Sequence, residues 1–441
     1  MADWPLERVV LNDGKEYRGL IESETPTSIE FAEVHRPRGK PMFLVVRVVD
    51  RKSIASWARL SDAERQELRQ RLESHKHRAL IESRRMEDLV LQATRHDGTL
   101  VWQYQGAWFS LESTAAESMT RRSIVRLEQI FSAYHQILPP RFTTSNRLHV
   151  RIFGASEQYH NALQELGLAI TNPAVYLPDK NLILAGSDMN RFDAELSDVN
   201  HQHRQARAQF EALMAEAPAR LKALNDDLKK GELPAAERQK IVLAEQKKWE
   251  EQRKSARRKL AALDRKNAAK FNEVAGTMFM RLAHEAFHAY LETFVYPRQA
   301  HDVPRWLNEG LAQIFEAGLL EADTLRTDTP NLPALTRLQS DLRSEAPLEL
   351  ANLLNAGSDT FLISHAATGP AVSRSYYYSW GLAYYLTFDS NVLGSPAFDE
   401  YLSPAAAHEP AVARFEKLVG MPLSEFEKRW REAMLQLKTT P

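Results

Sequence analysis

Two histidines and a glutamate form the most distinctive chemical pattern in the sequence. They occur as His284-Glu285-Ala286-Phe287-His288, in a stretch whose apolar residues recur with helical spacing. Residues four apart lie on the same face of an α-helix, so the two imidazoles can converge on one metal ion. Glu285 would lie beside that ion, where its carboxylate can exchange protons with water and a leaving group. The pattern predicts metal-assisted hydrolysis, with His284 and His288 as ligands and Glu285 as the general base.

A third ligand is expected, because catalytic zinc takes three protein ligands and leaves one position for water. Glu309 follows His288 by 21 residues, within a segment, 304–312, that reads as the start of a second helix. It completes a His₂Glu set and predicts one Zn²⁺ per chain. His301 and Asp302 are alternatives, but they lie in a predicted loop with no helical register to the histidine pair.

Two further polar residues lie near these ligands in the sequence. Asn308 either orients a neighbouring ligand or caps the second helix. Glu292 lies one turn beyond His288 and either hydrogen-bonds an imidazole or is exposed to solvent. We therefore treat Asn308 and Glu292 as candidate supporting residues of the metal site.

The composition narrows the kinds of site that the chain can contain. None of its 441 residues is cysteine, which excludes disulfides, thiol nucleophiles and cysteine-ligated zinc. Lysine and arginine, 57 in total, nearly balance 58 aspartates and glutamates, which argues against a surface built throughout for nucleic acid or anionic lipid. No apolar run is long enough to span a bilayer, so we expect a soluble globular protein. The sequence leaves its location open between the cytoplasm and, if a signal was removed, the exterior.

The combined pattern resembles the gluzincin branch of zinc metallopeptidases, in which a second helix carries the glutamate ligand. The segments HEAFHAY, at 284–290, and PRWLNEGLA, at 304–312, are also similar to an uncharacterised bacterial family of peptidase MA-like proteins. That likeness extends to Trp4-Pro5-Leu6 and Leu138-Pro139-Pro140-Arg141. It implies a zincin-like, mainly helical catalytic region and a peptide or protein substrate. The metzincin pattern is excluded, since Phe294 occupies the position of its third histidine.

The resemblance also implies two features of the substrate site. The substrate backbone would lie along an edge strand ahead of the zinc helix, and residues 181–186 are the candidate for that strand. The oxyanion that forms on the scissile carbonyl needs a hydrogen-bond donor, a role that tyrosines serve in gluzincins. Tyr377 and Tyr378 are the candidates, although most tyrosines of the helical stretch 375–385 are expected to be core aromatics.

The N-terminal region, residues 1–58, reads as a small β-barrel. Its predicted strands are 9–11, 17–21, 28–34, 43–49 and 54–57. Their number and the turns between them favour an SH3-like or Sm-like barrel that docks or caps. Ser61 and Glu64 form a capping-box pattern at the start of a charged helix that runs to about Met86. Residues 59–95 are therefore predicted to be a helical linker.

A mixed α/β region is predicted for residues 96–195. Helices are expected at 115–138 and 157–166, and strands at 148–153 and 181–185. This region would supply the edge strand of the zincin sheet.

A long helical arm is predicted for residues 196–275. Apolar residues at heptad spacing on two helices joined near 229–234 favour an antiparallel coiled coil. Between 236 and 270 there are 12 Lys+Arg against 5 Asp+Glu, which we interpret as a solvated face rather than a nucleic-acid surface. The arm is a candidate surface for a protein partner or for self-association.

Together these segments predict a multidomain α+β protein whose last region, 276–441, is the zinc-binding catalytic part. The expected function is that of a zinc metallopeptidase, specifically an endopeptidase. The alternative is a catalytically silent, zinc-stabilised scaffold that binds partners through the barrel and the arm. Glu285 favours the enzyme, because a purely structural zinc needs no base.

Overall fold

The computed structural model describes residues 4–37, 42–96, 98–142, 147–231, 233–321, 324–357, 361 and 370–438. Contacts divide the chain into two compact units, one formed by Met1–Gly186 with Met278–Pro441 and the other by Ser187–Thr277. The first unit contains β-sheets as well as α-helices, which confirms the predicted α+β class. Among the described residues, none of the helices combines the length and apolar character that crossing a bilayer requires.

The helices and strands have the following bounds. The strands are β1 Glu7–Leu11, β2 Glu16–Glu24, β3 Ser28–His35, β4 Phe43–Asp50, β5 Ile54–Ala58, β6 Gln92–His96, β7 Thr99–Gln105, β8 Phe109–Ser113, β9 Leu148–Phe153, β10 Ala174–Leu177, β11 Leu182–Gly186, β12 Leu319–Glu321 and β13 Thr324–Arg326. The helices are α1 Asp62–Lys76, α2 Arg78–Asp88, α3 Glu117–Ile137, α4 Ser156–Glu165, α5 Asp193–Lys230, α6 Ala235–Tyr290, α7 Arg305–Glu316, α8 Leu332–Leu342, α9 Leu350–Leu354, α10 Pro370–Phe388, α11 Pro396–Tyr401, α12 Ala411–Val419 and α13 Leu423–Gln436. A π-helical turn, Leu291–Val295, follows α6.

The first five strands form an antiparallel sheet in the order β4-β3-β2-β1-β5. Phe31 is fully buried in one apolar cluster of this sheet, and a second cluster joins Leu20 to Leu68 and Leu72 of α1. The five predicted strands are confirmed. Within the described residues, however, no pairing closes β4 onto β5, so the predicted SH3-like or Sm-like barrel is not confirmed.

The segment after this sheet begins as predicted but is not one helix. Ser61 and Glu64 form the predicted capping box at the start of α1. The backbone of His77 leaves the helical region, with φ −107° and ψ 15°, and separates α1 from α2. The prediction of a single helix is therefore wrong. Because Leu68 and Leu72 are buried against the sheet, α1 is a packed element.

The second sheet has the order β10-β11-β9-β8-β7-β6 and is of mixed type. Its pairs β8–β9 and β9–β11 are parallel, and the others are antiparallel. Phe109 of β8 lies 5.4 Å from Phe131 of α3 between ring centroids, and Phe131 lies 6.0 Å from Tyr290 of α6. The sheet, α3 and the end of α6 thus share one aromatic core. The predicted helices α3 and α4 and strands β9 and β11 are confirmed.

Two buried phenols join α3 to α6 on either side of the histidine pair. The hydroxyl of Tyr134 donates to the carbonyl oxygen of Ala283. The hydroxyl of Tyr290 donates to the carbonyl oxygen of Leu138 at 2.7 Å. Both tyrosines are 0% exposed, so these hydrogen bonds satisfy groups that water cannot reach. They hold the last turns of α6 against α3.

A glycine allows α7 and α10 to approach each other closely. A Cβ on Gly310 would overlap the carbonyl oxygen of Ser379 and the side chain of Ala383. Beside this contact, the Gln313 amide of α7 donates to the carbonyl oxygen of Tyr376 at 3.0 Å. Because Glu309 precedes Gly310, the packing of α7 on α10 also sets the position of Glu309.

The unit Ser187–Thr277 consists mainly of α5 and the first part of α6. The guanidinium of Arg257 lies 5.8 Å from the Phe210 ring, and that of Arg220 lies 5.7 Å from the Trp249 ring. From the first pair to the second, the residue number rises on α5 and falls on α6, as expected of two antiparallel helices. As predicted, α6 continues without a break to Tyr290. Coiled-coil packing in this unit stays a prediction.

Removal of the Tyr290 hydroxyl tests the junction of α3 and α6. Tyr290→Phe leaves the buried Leu138 carbonyl without its donor, so the free energy of unfolding should fall by about 1–3 kcal/mol. Urea denaturation measures this change. Tyr385→Phe is the matched control, because the Tyr385 ring packs on Phe426 and its hydroxyl has no hydrogen bond among the described residues. Equal effects of the two substitutions would contradict the assigned role of Tyr290.

Candidate metal centre

The last two turns of α6 carry the histidine pair into the protein interior. His284 is 1% exposed, Glu285 5% and His288 9%. The two imidazole rings lie 4.8 Å apart between centroids, at an interplanar angle of 85°. The four-residue spacing therefore brings both rings to one side of the helix, as the sequence predicts.

Glu309 of α7 completes a cluster of three ligand groups. Its Oε2 lies 3.2 Å from Nε2 of His284, and its Oε1 lies 3.6 Å from Nε2 of His288. Two ligand atoms bound to a tetrahedral zinc ion at about 2.0–2.1 Å lie about 3.3–3.4 Å apart. Glu309 is 0% exposed, and its Oε1 accepts no hydrogen bond within the described part of the chain. The two imidazole nitrogens, the carboxylate of Glu309 and the distances between them fit the binding of a divalent cation.

Each imidazole is held through its second nitrogen. His288 Nδ1 donates to the side-chain oxygen of Asn308 at 2.8 Å, which is one of the two roles considered for Asn308. His284 Nδ1 lies 3.0 Å from Oε2 of Glu316. Both contacts leave Nε2 directed toward Glu309, which is the arrangement of a metal-ligating histidine and its orienting partner. Sequence reasoning missed Glu316, although seven residues, or nearly two helical turns, place it on the same face of α7 as Glu309.

Burial and the neighbouring charges shift the pKa values of the cluster. Burial lowers the pKa of His288 to about 4. Burial also acts to lower the pKa of His284, but hydrogen bonds to Glu309 and Glu316 outweigh it and raise that pKa to about 9. Burial acts to raise the pKa of Glu309, yet both histidines hold it well below its ordinary value. The cluster therefore keeps the Glu309 carboxylate ionised although that side chain is fully buried.

Glu285 connects the histidine helix to the second sheet. Its Oε1 lies 2.7 Å from the Arg281 guanidinium, and its Oε2 accepts the backbone N–H of Tyr176 at 3.0 Å. Tyr176 belongs to β10, which is the edge strand of the sheet. The prediction of an edge strand at 181–186 is wrong, because β11 lies between β10 and β9. The chain turns back after β10 through Asn181, in left-handed conformation with φ 43°, and this hairpin places one more strand outside β11.

The other acidic and histidine candidates have partners outside the cluster. Glu292 pairs with Arg298 at 2.7 Å, and within the described residues no hydrogen bond joins it to either ligand imidazole. His301 Nδ1 contacts the Pro297 carbonyl oxygen, and Asp302 pairs with Arg414 at 2.7 Å. The structure does not bring His301 or Asp302 into the cluster.

The two candidate oxyanion donors lie in a separate network. Tyr378 is 0% exposed and donates to Asp341 at 2.6 Å, while its oxygen accepts the backbone N–H of Leu348. The Tyr377 ring packs beside Tyr378, and burial followed by the Asp341 charge raises the pKa of Tyr377. No hydrogen bond between described residues joins either phenol to the metal cluster. The regular helical pattern of this stretch could not show which side of α10 each phenol occupies.

Glu316→Gln tests the support of His284. The substitution preserves the shape of the side chain but removes the charge next to Nδ1, so we expect the affinity for Zn²⁺ to fall by about tenfold or more. Competition with a fluorescent chelator measures that affinity. Glu432→Gln, at an exposed position of α13, is the control and should leave it unchanged. Unchanged zinc affinity in Glu316→Gln would exclude a supporting role.

Asp341→Asn tests the network that holds Tyr378. Burial acts to raise the pKa of Asp341, but its bonds to Tyr378 and Arg374 keep it below 3.8. A carboxyl group with a lowered folded-state pKa stabilises the fold above its unfolded pKa and loses that effect as the pH falls. Asp341→Asn should therefore reduce the free energy of unfolding by about 1–3 kcal/mol at pH 7 and by less at pH 3.

Urea denaturation at both pH values checks this prediction. Asp88→Asn, at an exposed position, is the control. A loss of the same size at pH 3 and pH 7 would show that the Asp341 charge does not stabilise the network.

Residues 279–410 match the family described as "Protein of unknown function (DUF1570)". The matched segment contains His284, His288 and Glu309, together with Asn308 and Glu316, and covers less than a third of the chain. Neither the curated proteins nor the solved structures yield a match. The chain is thus similar to this family through the segment that carries the candidate metal centre.

Proposed function

We propose that this protein is a zinc-dependent peptide hydrolase of the gluzincin type, acting as an endopeptidase. The observation that supports the proposal is the buried set of His284, His288 and Glu309, with Glu285 on the same helix. Two imidazoles and one carboxylate form the usual protein ligand set of zinc peptidases, and a carboxylate next to the first histidine is the expected base.

Each residue of the cluster has a role in this proposal. His284 and His288 would hold the metal through Nε2, and Glu309 would hold it through a carboxylate oxygen. When bound, Zn²⁺ supplies Lewis acidity that makes water a nucleophile at neutral pH. Glu285 takes a proton from the attacking water on a carboxylate oxygen and passes it to the leaving amine. Asn308 keeps His288 in the orientation that the metal requires.

The edge strand β10 supports a peptide as the substrate. Because the Tyr176 N–H bonds to Glu285, the backbone polar groups of this residue point away from β11. The Tyr176 N–H is already bound by Glu285, so an extended chain would pair with the other outward-pointing main-chain groups of this edge, as in other cases of strand addition. Its carbonyl groups would then run past Glu285 toward the metal ligands.

Metal analysis combined with Glu285→Gln tests the proposal. The purified protein should contain about one zinc ion per chain, and chelation should abolish peptide cleavage. Glu285→Gln should keep the metal and lose about 100- to 10,000-fold in cleavage rate, because the proton acceptor is removed while the three metal ligands remain. Glu432→Gln should retain both metal and activity. A wild-type protein that binds no zinc would exclude the site.

The second candidate function is a zinc-stabilised scaffold without activity. The exposed apolar side chains of the edge strand β4 support it, namely Phe43 at 50% exposure, Val46 at 55% and Val48 at 77%. An exposed apolar edge strand is suited to bind a protein partner, whether or not the sheet closes into the predicted SH3-like barrel. The helical arm offers a second surface for a partner. Digestion of a broad peptide library separates the two functions, since zinc-loaded protein that cleaves nothing would favour the scaffold.

A further inference from the structure

We propose that Arg281 and Arg305 recognise a carboxylate of the substrate, so that the metal centre acts on acidic peptides. The inference rests on the proposed hydrolase function and adds a substrate class to it.

The two helices of the metal centre carry the same local arrangement. Arg281 precedes Glu285 by four residues on α6, and Arg305 precedes Glu309 by four residues on α7. Each pair forms an ion pair along its helix, at 2.7 Å for the first and 3.1 Å for the second. The two carboxylates that the proposed reaction uses, one as base and one as ligand, are thus each flanked by a guanidinium.

Both guanidiniums have donors left over. An arginine has five N–H donors, and the ion pair with one carboxylate uses only part of them. Among the described residues, the Nε–H groups of Arg281 and Arg305 are buried and find no acceptor, so a ligand would meet each side chain through its Nη groups, of which one Nη2 contact goes to Glu285 or Glu309. The two side chains are 16% and 28% exposed, so each has a part that a ligand can reach. A planar guanidinium with spare donors is well suited to bind a carboxylate through two parallel hydrogen bonds.

The charge around the metal centre also favours an anionic ligand. Four carboxylates and three guanidiniums lie in or next to the cluster. These are Glu285, Glu292, Glu309 and Glu316, with Arg281, Arg298 and Arg305. Once a divalent cation is bound, the positive charges outnumber the negative ones by one. Without the cation the same seven side chains sum to −1, so the positive excess arises only when the metal is bound.

The positions of the arginines limit where the recognised carboxylate lies. Arg281 contacts the proposed base, and Arg305 contacts the third metal ligand. An extended peptide advances about 3.3–3.6 Å per residue. A carboxylate bound by either arginine therefore belongs to a residue next to the scissile bond, or to a chain end close to it.

Peptide binding to zinc-loaded Glu285→Gln protein tests the inference without relying on turnover. Three decapeptides, each labelled at its N-terminus with an uncharged BODIPY dye, serve as probes in fluorescence anisotropy. The first alternates glutamate and alanine with an amidated C-terminus, the second alternates glutamine and alanine with a free C-terminus, and the third is the amidated glutamine form. We expect one of the first two to bind about tenfold more tightly than the third, which has no carboxylate. The stronger of these two identifies a side-chain or a terminal carboxylate.

Arginine variants in the same background assign this preference to residues. Arg281→Gln or Arg305→Gln should reduce binding of the preferred probe by about tenfold and leave the uncharged probe within about twofold. Arg429→Gln, which removes an exposed ion pair with Glu425 on α13, is the matched control. Should a glutamine variant fail to fold, Arg281→Lys and Arg305→Lys keep the charge but lose the paired donors, and should show an intermediate loss.

Two results separate failure of this inference from failure of the proposed function. Metal analysis precedes every titration, and wild-type protein without zinc would overturn the function itself. Zinc-loaded protein that binds all three probes equally would overturn only the inference. The same conclusion follows if the preference survives in both arginine variants, since Arg281 and Arg305 would then only neutralise Glu285 and Glu309.

Discussion

The structure of the candidate site depends on a carboxylate that is fully removed from solvent. Glu309 is 0% exposed, and an unpaired charge in such a position would strongly destabilise the fold. Two imidazoles and the Arg305 guanidinium surround its oxygen atoms. Because these groups come from α6 and α7, the carboxylate requires both helices to meet at one point. A divalent cation bound there would meet the same requirement more completely.

The surrounding elements keep that meeting point rigid. Gly310 lets α7 approach α10, and Tyr134 binds the carbonyl group that directly precedes the histidine pair. Asn308 and Glu316 fix the outer nitrogen of each imidazole. Glu285 extends the network to the sheet through the backbone of β10. Groups that could perform hydrolysis therefore lie on packed helices beside a sheet edge, a combination that orients ligands.

Most of the local features follow from sequence patterns. The spacing of His284 and His288 determines that both lie on one helical face, because helix geometry alone relates residues four apart. The capping residues Ser61 and Glu64 and the strand patterns of the first sheet are equally local, and they agree with the structure. Glu309 could be identified because a catalytic zinc site takes three protein ligands, which are drawn from histidine, cysteine, aspartate and glutamate. The absence of cysteine further narrows the choice.

Only the tertiary structure decided how these elements are arranged in space. Strand β10 lies at the edge because of the strand order, which depends on contacts between residues far apart in the chain. The pattern of apolar and polar residues in β11 does not show that another strand pairs outside it. Tyr378 binds Asp341 because α8 packs there against α10, and a run of tyrosines cannot show which side faces a neighbour. The sequence by itself thus determined the chemical groups and their helices. Long-range packing decided which groups share the site, since side-chain partners on separate elements are selected by burial and not by spacing.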